Sequence, residues 1–142
     1  MPDETGINLV NVGIVLVRPR FSENIGSAAR AMCNMGITRL IVVDPHDYDP
    51  VKSYRLATHA ARELIDNLDI YPDLRTALTP FHYVVGTTAR LGGQRKMVRS
   101  PARLASDLVA LSRENQIAVL FGPEDRGLSN EDLRLCHGLI NI

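Results

Sequence analysis

The chain has 142 residues, of which 45% are hydrophobic and 23% are charged, a composition typical of one soluble globular domain. Sixteen basic residues balance sixteen acidic ones, so the net charge gives no sign of a polyanionic partner. The composition excludes collagen-like, low-complexity and intrinsically disordered proteins. We therefore treat residues 1–142 as a single domain.

The first apolar segment is INLVNVGIVLV (residues 7–17), with two acidic residues before it and an arginine after it. It lacks the basic start and the cleavage site of a signal peptide, and it is too short to cross a bilayer. Cys33 and Cys136 have no metal-ligand spacing, and without an export signal a disulfide is not favoured. We expect a cytoplasmic protein with two thiols and no membrane contact.

Apolar runs of strand length alternate with helical patterns along the chain. Strands are predicted at residues 12–17, 40–44, 81–86, 117–122 and 138–142. Helices are predicted at residues 23–35, 55–68 and 101–115, at 129–136, and in a short segment after Pro72. This alternation predicts an α/β fold, a mostly parallel sheet with helices on both faces. In such folds, ligands lie beyond the carboxyl ends of the strands, in the loops that lead into helices.

The first of these loops and its helix read RPRFSENIGSAARAMCNMG (residues 18–36). Ser22 or Asn24 is the expected N-cap, and Gly26 permits close approach of another backbone or of a partner helix. Arg30 lies about 140° round the helix from the apolar Ile25, so it is not a core residue. The residues alone leave open a capped helix with one solvated arginine or a helix that presents Arg30 to a ligand.

The second loop, GTTARLGGQRKMVRSP (residues 86–101), is long for a compact domain, and such loops tend to be functional. Its glycine and threonines offer backbone groups and hydroxyls to a polar ligand. Fourteen of the sixteen cations of the chain are arginines, and residues 74–106 contain six cations and no carboxylate. Because arginine suits bidentate contact with phosphate, this window is either a nucleic-acid contact or a solvated loop.

The third loop is FGPEDRGLSNEDL (residues 121–133). Ser129 or Asn130 is the predicted N-cap of the following helix, and Asp132 completes a capping box. Glu124 either holds the loop by accepting backbone N–H bonds or orients a substrate. Dinucleotide, P-loop, zincin and hydrolase motifs are absent from the sequence, and the four histidines lack ligand spacing, so we expect no metal. An unrelated nucleotide-binding domain would need a phosphate loop that the sequence lacks.

Three segments, NIGSAARAMCNMG, VVGTTAR and VLFGPEDRGLSNEDLRLCHGLINI, occur in this order and at these separations. Together they resemble the SPOUT superfamily, specifically its TrmH-like RNA 2′-O-ribose methyltransferases and most closely the TrmJ-like branch that modifies tRNA. The similarity covers about residues 11–142. It implies an S-adenosylmethionine-dependent enzyme that methylates RNA, with tRNA favoured over rRNA, and that forms a homodimer. The family fold is an α/β sheet with a deep trefoil knot, an exception to the rule against threaded connections.

The resemblance also implies roles for individual residues. The element that contains Asn24, Gly26 and Arg30 lies at the active site and a dimer interface in this family. The implied catalytic residues are Arg30, Asn24 and Glu124, and the implied cofactor-binding residues are Thr87, Thr88, Ala89, Gly122 and Ile142. The RNA-binding residues expected from charge and position are Arg18, Arg20, Arg90, Arg95, Lys96 and Arg99.

The sequence departs from the family pattern at its C-terminal end. The third family motif, a Pro-rich loop with a Ser and an Asn followed by a final helix, would begin just after Ile142. We therefore expect a C-terminally truncated SPOUT domain that lacks the knot-completing segment and has an incomplete site. The alternative is a noncatalytic RNA-binding or dimerisation module that has lost this motif.

Overall fold

The computed structural model describes residues 6–89, 98–99 and 101–141. Its strands are β1 (Val12–Val17), β2 (Arg39–Val43), β3 (Asp69–Tyr71), β4 (Tyr83–Thr88), β5 (Val98–Arg99), β6 (Ile117–Phe121) and β7 (Gly138–Asn141). Its helices are α1 (Ser22–Met35), α2 (Pro50–Tyr54), α3 (His59–Asp66), α4 (Leu74–Leu78), α5 (Pro101–Leu111) and α6 (Asn130–Arg134).

The strands form one sheet in the order β3-β2-β1-β6-β4-β7-β5, and every neighbouring pair is parallel. The carboxyl ends of β1 and β2 are level, because Val17 pairs with Val43. Leu16 pairs with Phe121, so β6 ends beside them. The loops that follow β1, β2 and β6 therefore meet at one edge of the sheet.

Helices cover both faces of the sheet, and each face has its own apolar core. The face with α1, α3 and α5 buries Ile14, Ile25, Met32, Leu40, Val42, Ile65, Leu104, Leu108 and Ile117. The face with α4 and α6 buries Val15, Val17, Ile41, Val43, Leu74, Leu120, Leu128, Leu133 and Leu139. Side chains that alternate along a strand point to opposite faces, so β1 and β2 contribute to both cores. The predicted α/β class with a parallel sheet is confirmed.

The helix predicted at residues 55–68 is wrong in its extent, because α3 covers only His59–Asp66 and a separate helix, α2, ends at Tyr54. The Asp49 side chain caps α2 by accepting the Val51 N–H at 3.0 Å. Thr58 is extended and accepts the Ala61 N–H at 3.3 Å, which starts α3. Thr58 thus marks the start of α3 after α2 has ended at Tyr54, and the apolar periodicity alone does not reveal that start.

The predicted cap of α1 is also wrong. Phe21 occupies the N-cap position and its side chain makes no capping bond. Ser22 is already helical, and its Oγ accepts the N–H of Asp49 at 2.9 Å. The hydroxyl thus ties the start of α1 to the start of α2 instead of capping its own helix.

Gly26 allows α1 and α2 to touch. A Cβ at this position would lie 2.0 Å from the backbone oxygen of Ser53, far inside the ordinary separation of non-bonded atoms. The expected close approach of another backbone is confirmed, and the backbone is that of α2 in the same chain.

Candidate active site at the carboxyl edge of the sheet

A cavity of about 380 Å³ lies between the end of β4 and the loop after β6. Thr87, Thr88 and Ala89 line one side, and residues 121–128 line the other. We call it the β4–β6 cavity. It brings together four of the five residues that the sequence predicted for cofactor binding, since Gly122 is part of its wall. Its volume lies within the range of ~300–1,000 Å³ that is usual for small-molecule sites.

Gly122 makes the wall of this cavity possible. A Cβ there would lie 2.2 Å from the carbonyl carbon of Gly127 and 2.2 Å from the nitrogen of Leu128. The loop thus folds back directly over the end of β6. Gly127 itself has a positive φ of 71°, a conformation that glycine adopts without strain.

Thr87 connects the two central strands that border the cavity. Its Oγ1 donates a hydrogen bond to the carbonyl oxygen of Leu120 at 2.8 Å, and its side chain is buried. The preceding residue is Gly86, and a Cβ at that position would lie 2.7 Å from the Sγ of Cys136. Small and hydroxyl side chains at the end of β4 are therefore used to pack the sheet edge closely.

Glu124 holds the loop after β1 against the loop after β6. Its Oε2 accepts the backbone N–H of Arg20 at 2.9 Å, which is the first of the two roles that the sequence left open. The Arg20 guanidinium donates to Asp125 Oδ2 at 2.7 Å. Slight burial raises the pKa of Asp125, but the bond and charge of Arg20 outweigh it and lower that pKa below its ordinary value.

Arg18 makes a second connection between the same two loops. Its Nη2 lies 2.5 Å from Asp132 Oδ2 and its Nη1 lies 3.4 Å from Asp132 Oδ1. The Asp132 side chain is only 7% exposed, against 38% for Arg18. Asp132 also accepts the N–H of Ser129 at 2.9 Å, and Ser129 Oγ accepts the N–H of Asp132 at 3.1 Å. The predicted capping box with Ser129 as N-cap is confirmed.

The charge state of Asp132 follows from these contacts. Burial raises the pKa of its carboxyl group, but the hydrogen bonds from Arg18 and Ser129 and the positive charge of Arg18 outweigh burial. The pKa of Asp132 therefore lies below its ordinary value. The carboxylate remains charged at neutral pH and keeps its ion pair.

Two adjacent strand ends carry strained residues. Arg18 follows β1 with a φ of 48° and Asp44 follows β2 with a φ of 45°. Each precedes a proline, which normally favours an extended conformation. Each residue still forms a backbone hydrogen bond to the neighbouring strand. Arg18 donates its N–H to the carbonyl oxygen of Val43, and Asp44 donates its N–H to that of Tyr71. Such conformations cost roughly 1–3 kcal/mol each and persist where surrounding contacts impose them.

An apolar groove of about 480 Å³ runs over β1 and β6 beside α1. We call it the α1 groove. Asn24, Gly122 and Glu124 lie at its polar end, so the structure brings the predicted catalytic residues Asn24 and Glu124 to one place. Gly122 and Glu124 also line the β4–β6 cavity. The two hollows therefore share a wall.

Arg30 does not join them in this chain. It is exposed, as its position on the helical wheel predicted, and it is not among the residues that line the α1 groove or the β4–β6 cavity. Arg30 lies about 9 Å along the helix axis from Asn24 and about 120° round it. Asn24 and Arg30 therefore occupy different faces of α1.

Arg18 and Arg20 line a third hollow, of about 970 Å³, which shares the 123–128 loop with the β4–β6 cavity. Carboxylates outnumber arginines in this mixed-charge cavity: it is lined by Asp44, Asp47, Asp125, Glu131 and Asp132, and by Arg18, Arg20 and Arg126. Both predicted RNA-binding arginines are ion-paired here. Their charge is thus largely balanced locally.

The other predicted residues fall outside the described parts of the chain. They are Arg90, Arg95, Lys96 and Ile142, and for Arg99 only the backbone, in β5, is described. Within the described residues, no helix is long and apolar enough to span a membrane. No group of three or more potential metal ligands occurs in that part of the chain either.

Sequence reasoning missed the role of Asp132 and Asp125 as partners of the first loop. Asp132 was predicted only as part of a capping box. The strand order would have revealed both partners. Because β1 and β6 are neighbours, the loops that follow them must meet. The apolar pattern predicts the strands but not their order.

Residues 11–142 match the SpoU rRNA Methylase family. The chain is 33% identical over 137 residues to the tRNA (cytidine-2′-O-)-methyltransferase TrmJ of Methanocaldococcus jannaschii, a match that covers 94% of this chain and 58% of that protein. The structure of a probable methylase family protein from Haemophilus influenzae Rd KW20 is similar with a TM-score of 0.87 and 39% identity, covering 94% of this chain and 56% of that one. The resemblance predicted from the three motifs is confirmed.

A further similar structure contains a ligand. The SpoU methyltransferase AviRb from Streptomyces viridochromogenes, in complex with the cofactor AdoMet, has a TM-score of 0.62 and 25% identity, with 92% of this chain and 49% of that one covered. The present chain spans about half the length of the curated relatives that it matches.

Proposed function

The chain belongs to the SpoU rRNA methylase family, and from this premise we propose that it transfers the methyl group of S-adenosylmethionine to a ribose 2′-hydroxyl of RNA. The expected substrate is tRNA, since the relative from M. jannaschii is named a tRNA 2′-O-methyltransferase. The observation that carries the proposal is the β4–β6 cavity, in which Thr87, Thr88, Ala89 and Gly122 converge.

The residues of the β4–β6 cavity fit such a cofactor. The cavity is large enough for part or all of a nucleoside ligand, and the two threonines and the turn after β6 supply polar groups along an apolar strand end. The missing Cβ of Gly122 lets the 127–128 backbone close the wall tightly. Thr87, Thr88, Ala89 and Gly122 would hold the cofactor, which supplies an electrophilic methyl group on a sulfonium when bound.

The protein's own task is alignment and charge stabilisation. The ribose hydroxyl must point at the methyl group, and negative charge grows on its oxygen as the proton leaves. Asn24 lies at the polar end of the α1 groove, beside the shared wall, which supports a role in orienting the ribose. Glu124, which accepts the backbone N–H of Arg20, would hold the cofactor loop in place. Because a guanidinium is not deprotonated in proteins, Arg30 serves as a phosphate anchor and a donor to the developing oxyanion, not as a base.

The position of Arg30 supports a homodimer. In one chain Arg30 lies on a different face of α1 from Asn24, outside the residues that line the cavity. The motif that contains it is expected at a dimer interface. We therefore assign the Arg30 that serves each cavity to a second copy of the chain. The α/β-knot type of fold and a cytoplasmic location are also part of this proposal.

The RNA backbone would be bound chiefly by the carboxylate-free basic window. Arg90, Arg95, Lys96 and Arg99 belong to it. Phosphate contacts of this kind make affinity strongly salt-dependent. The noncatalytic alternative is not favoured, because the M. jannaschii relative is named as a methyltransferase.

Methyl transfer tests the proposal directly. The native full-length protein is incubated with S-adenosylmethionine carrying a labelled methyl group and with total tRNA, total rRNA or no RNA. We expect label in tRNA and little in the other reactions. Absence of transfer to either RNA would favour a binding module instead.

One substitution tests the role of Arg30. Arg30→Lys keeps the charge but loses the planar fork, so we expect transfer to fall by about tenfold or more. Arg55→Lys, at an exposed arginine outside the proposed site, is the matched control and should act like the wild type. Full activity of Arg30→Lys would contradict a bidentate role.

A further inference from the structure

We propose that Asp132 is a positioning residue for this reaction: through Arg18 it holds the loop after β1 against the wall of the β4–β6 cavity. The inference rests on the proposed function, and it concerns a residue that touches neither cofactor nor RNA. It assigns Arg18 to the same task, in place of direct contact with RNA phosphate.

Two connections join the loops, and we call them together the loop clamp. The first is Arg20 with Glu124 and Asp125, at the start of the turn after β6. The second is Arg18 with Asp132, at the end of that turn. Between them lie residues 126–128, which line the β4–β6 cavity. The turn is thus fixed at both ends to the segment that leads into α1.

Asp132 is suited to this task because one buried carboxylate serves three donors. It accepts the Ser129 N–H, which sets the start of α6, and it accepts both terminal nitrogens of Arg18. Burial keeps water from competing for the carboxylate, and a charged group buried without its partner is costly. Displacing Arg18 therefore disturbs the end of the turn as well as the first loop.

The strained backbone of Arg18 points to the same conclusion. With a φ of 48° directly before a proline, Arg18 would relax to an extended conformation if nothing held it. Its side chain is tied to Asp132 and its N–H to Val43. Release of the side chain would let the loop move, and with it Asn24 at the polar end of the α1 groove.

The competing reading is that Arg18 contacts an RNA phosphate directly. The two readings differ in what Asp132 does. In a positioning role Arg18 acts only through Asp132, so loss of either residue has the same effect. As a direct RNA contact, Arg18 would act without Asp132, and removal of that carboxylate would leave or strengthen RNA binding.

A double-mutant cycle on the full-length protein distinguishes them. The variants are Arg18→Gln, Asp132→Asn and the pair together; asparagine retains an oxygen for the Ser129 N–H while losing the charge. The readouts are kcat, the KM for S-adenosylmethionine, and the affinity for tRNA with its salt dependence. Glu131→Gln, at an exposed carboxylate one residue away, is the control for Asp132.

For a positioning role, each single variant raises the cofactor KM about tenfold, and the double variant is no worse than either one. Affinity for tRNA and its salt slope stay unchanged. The proposal is overturned if Arg18→Gln lowers the salt slope by about one and does so equally in the Asp132→Asn background. It is also overturned if the variants lower only thermal stability and leave the cofactor KM as in the wild type.

Hydrogen exchange separates failure of this inference from failure of the proposed function. If the wild-type protein transfers no methyl group, the proposed function fails, but the clamp can still be tested. The Gly127 and Ser129 amides are hydrogen-bonded to Pro123 and Asp132. Arg18→Gln should accelerate exchange at both amides, and Glu131→Gln should not. Unchanged exchange in Arg18→Gln would refute the clamp whether or not the protein is active.

Discussion

Gly122→Ala is the substitution that bears most directly on the β4–β6 cavity. The new Cβ would lie 2.2 Å from the Gly127 carbonyl carbon and from the Leu128 nitrogen. Non-bonded carbons normally approach to about 3.5–4.0 Å, so the 127–128 backbone must retreat by roughly 1.3 Å or more. Leu128 is only 2% exposed. The backbone therefore cannot retreat without moving Leu128 in the core.

The expected cost follows from this geometry. Overpacking of a close-packed interior lowers the free energy of unfolding by about 1–3 kcal/mol. Because residues 127 and 128 line the β4–β6 cavity, the same displacement should weaken cofactor binding by about tenfold or more, equivalent to about 1.4 kcal/mol or more. Urea unfolding measures the first quantity, and calorimetric titration with S-adenosylhomocysteine measures the second.

Gly36→Ala is the matched control for this prediction. Gly36 ends α1 with a φ of 82°, and among the described residues a Cβ there would meet the Leu9 side chain alone, at 3.7 Å. Alanine there is strained by about 1–2 kcal/mol, but the position lies outside the β4–β6 cavity. Cofactor affinity should therefore be unchanged. If Gly122→Ala binds S-adenosylhomocysteine like the wild type, the reasoning about the cavity wall is wrong.

Three further predictions concern α1, Asp132 and the basic window. Gly26→Ala places a Cβ 2.0 Å from the Ser53 oxygen and should lower the free energy of unfolding by about 1–3 kcal/mol; the exposed Ser27→Ala should change it little, and equal effects would refute the contact. The pKa of Asp132 is lowered on folding, so its ion pair stabilises the protein above pH ~4 and is lost as pH falls through the folded-state pKa. Below pH ~4, the difference in unfolding free energy between wild type and Asp132→Asn should therefore shrink. A difference that stays constant as the pH falls would contradict this. Replacement of Arg95, Lys96 and Arg99, three cations of the basic window, by glutamine should reduce the salt slope of tRNA affinity by about two, and an unchanged slope would place the RNA elsewhere.

The strongly periodic elements were predictable from the sequence. β1 is confirmed at Val12–Val17, because a run of six apolar and small residues rich in β-branched side chains is typical of a buried strand. Helix α1 is confirmed to within one residue at its start. The short strands β3 and β5 were missed, since two or three residues carry no measurable periodicity.

The site was predictable in part, for a physical reason. The family resemblance implied that Thr87 and Gly122 share one site, and the structure brings them together because loops after parallel strands meet at one edge. Which loop residues pair depends on strand order. The contact of Arg18 with Asp132, 114 positions apart, therefore could not be read from spacing. Asn24 and Arg30 lie on different faces of α1, so a single chain does not show how both side chains would reach one ribose.

The most direct test of the account is the chemical position of the transferred methyl group. A methyl group on the ribose 2′-oxygen removes the nucleophile that cleaves the adjacent phosphodiester in alkali. After transfer of a labelled methyl group to tRNA and complete alkaline hydrolysis, we expect the label in alkali-resistant dinucleotides. Label recovered only in mononucleotides would show methylation of a base and would contradict the proposed 2′-O-methylation.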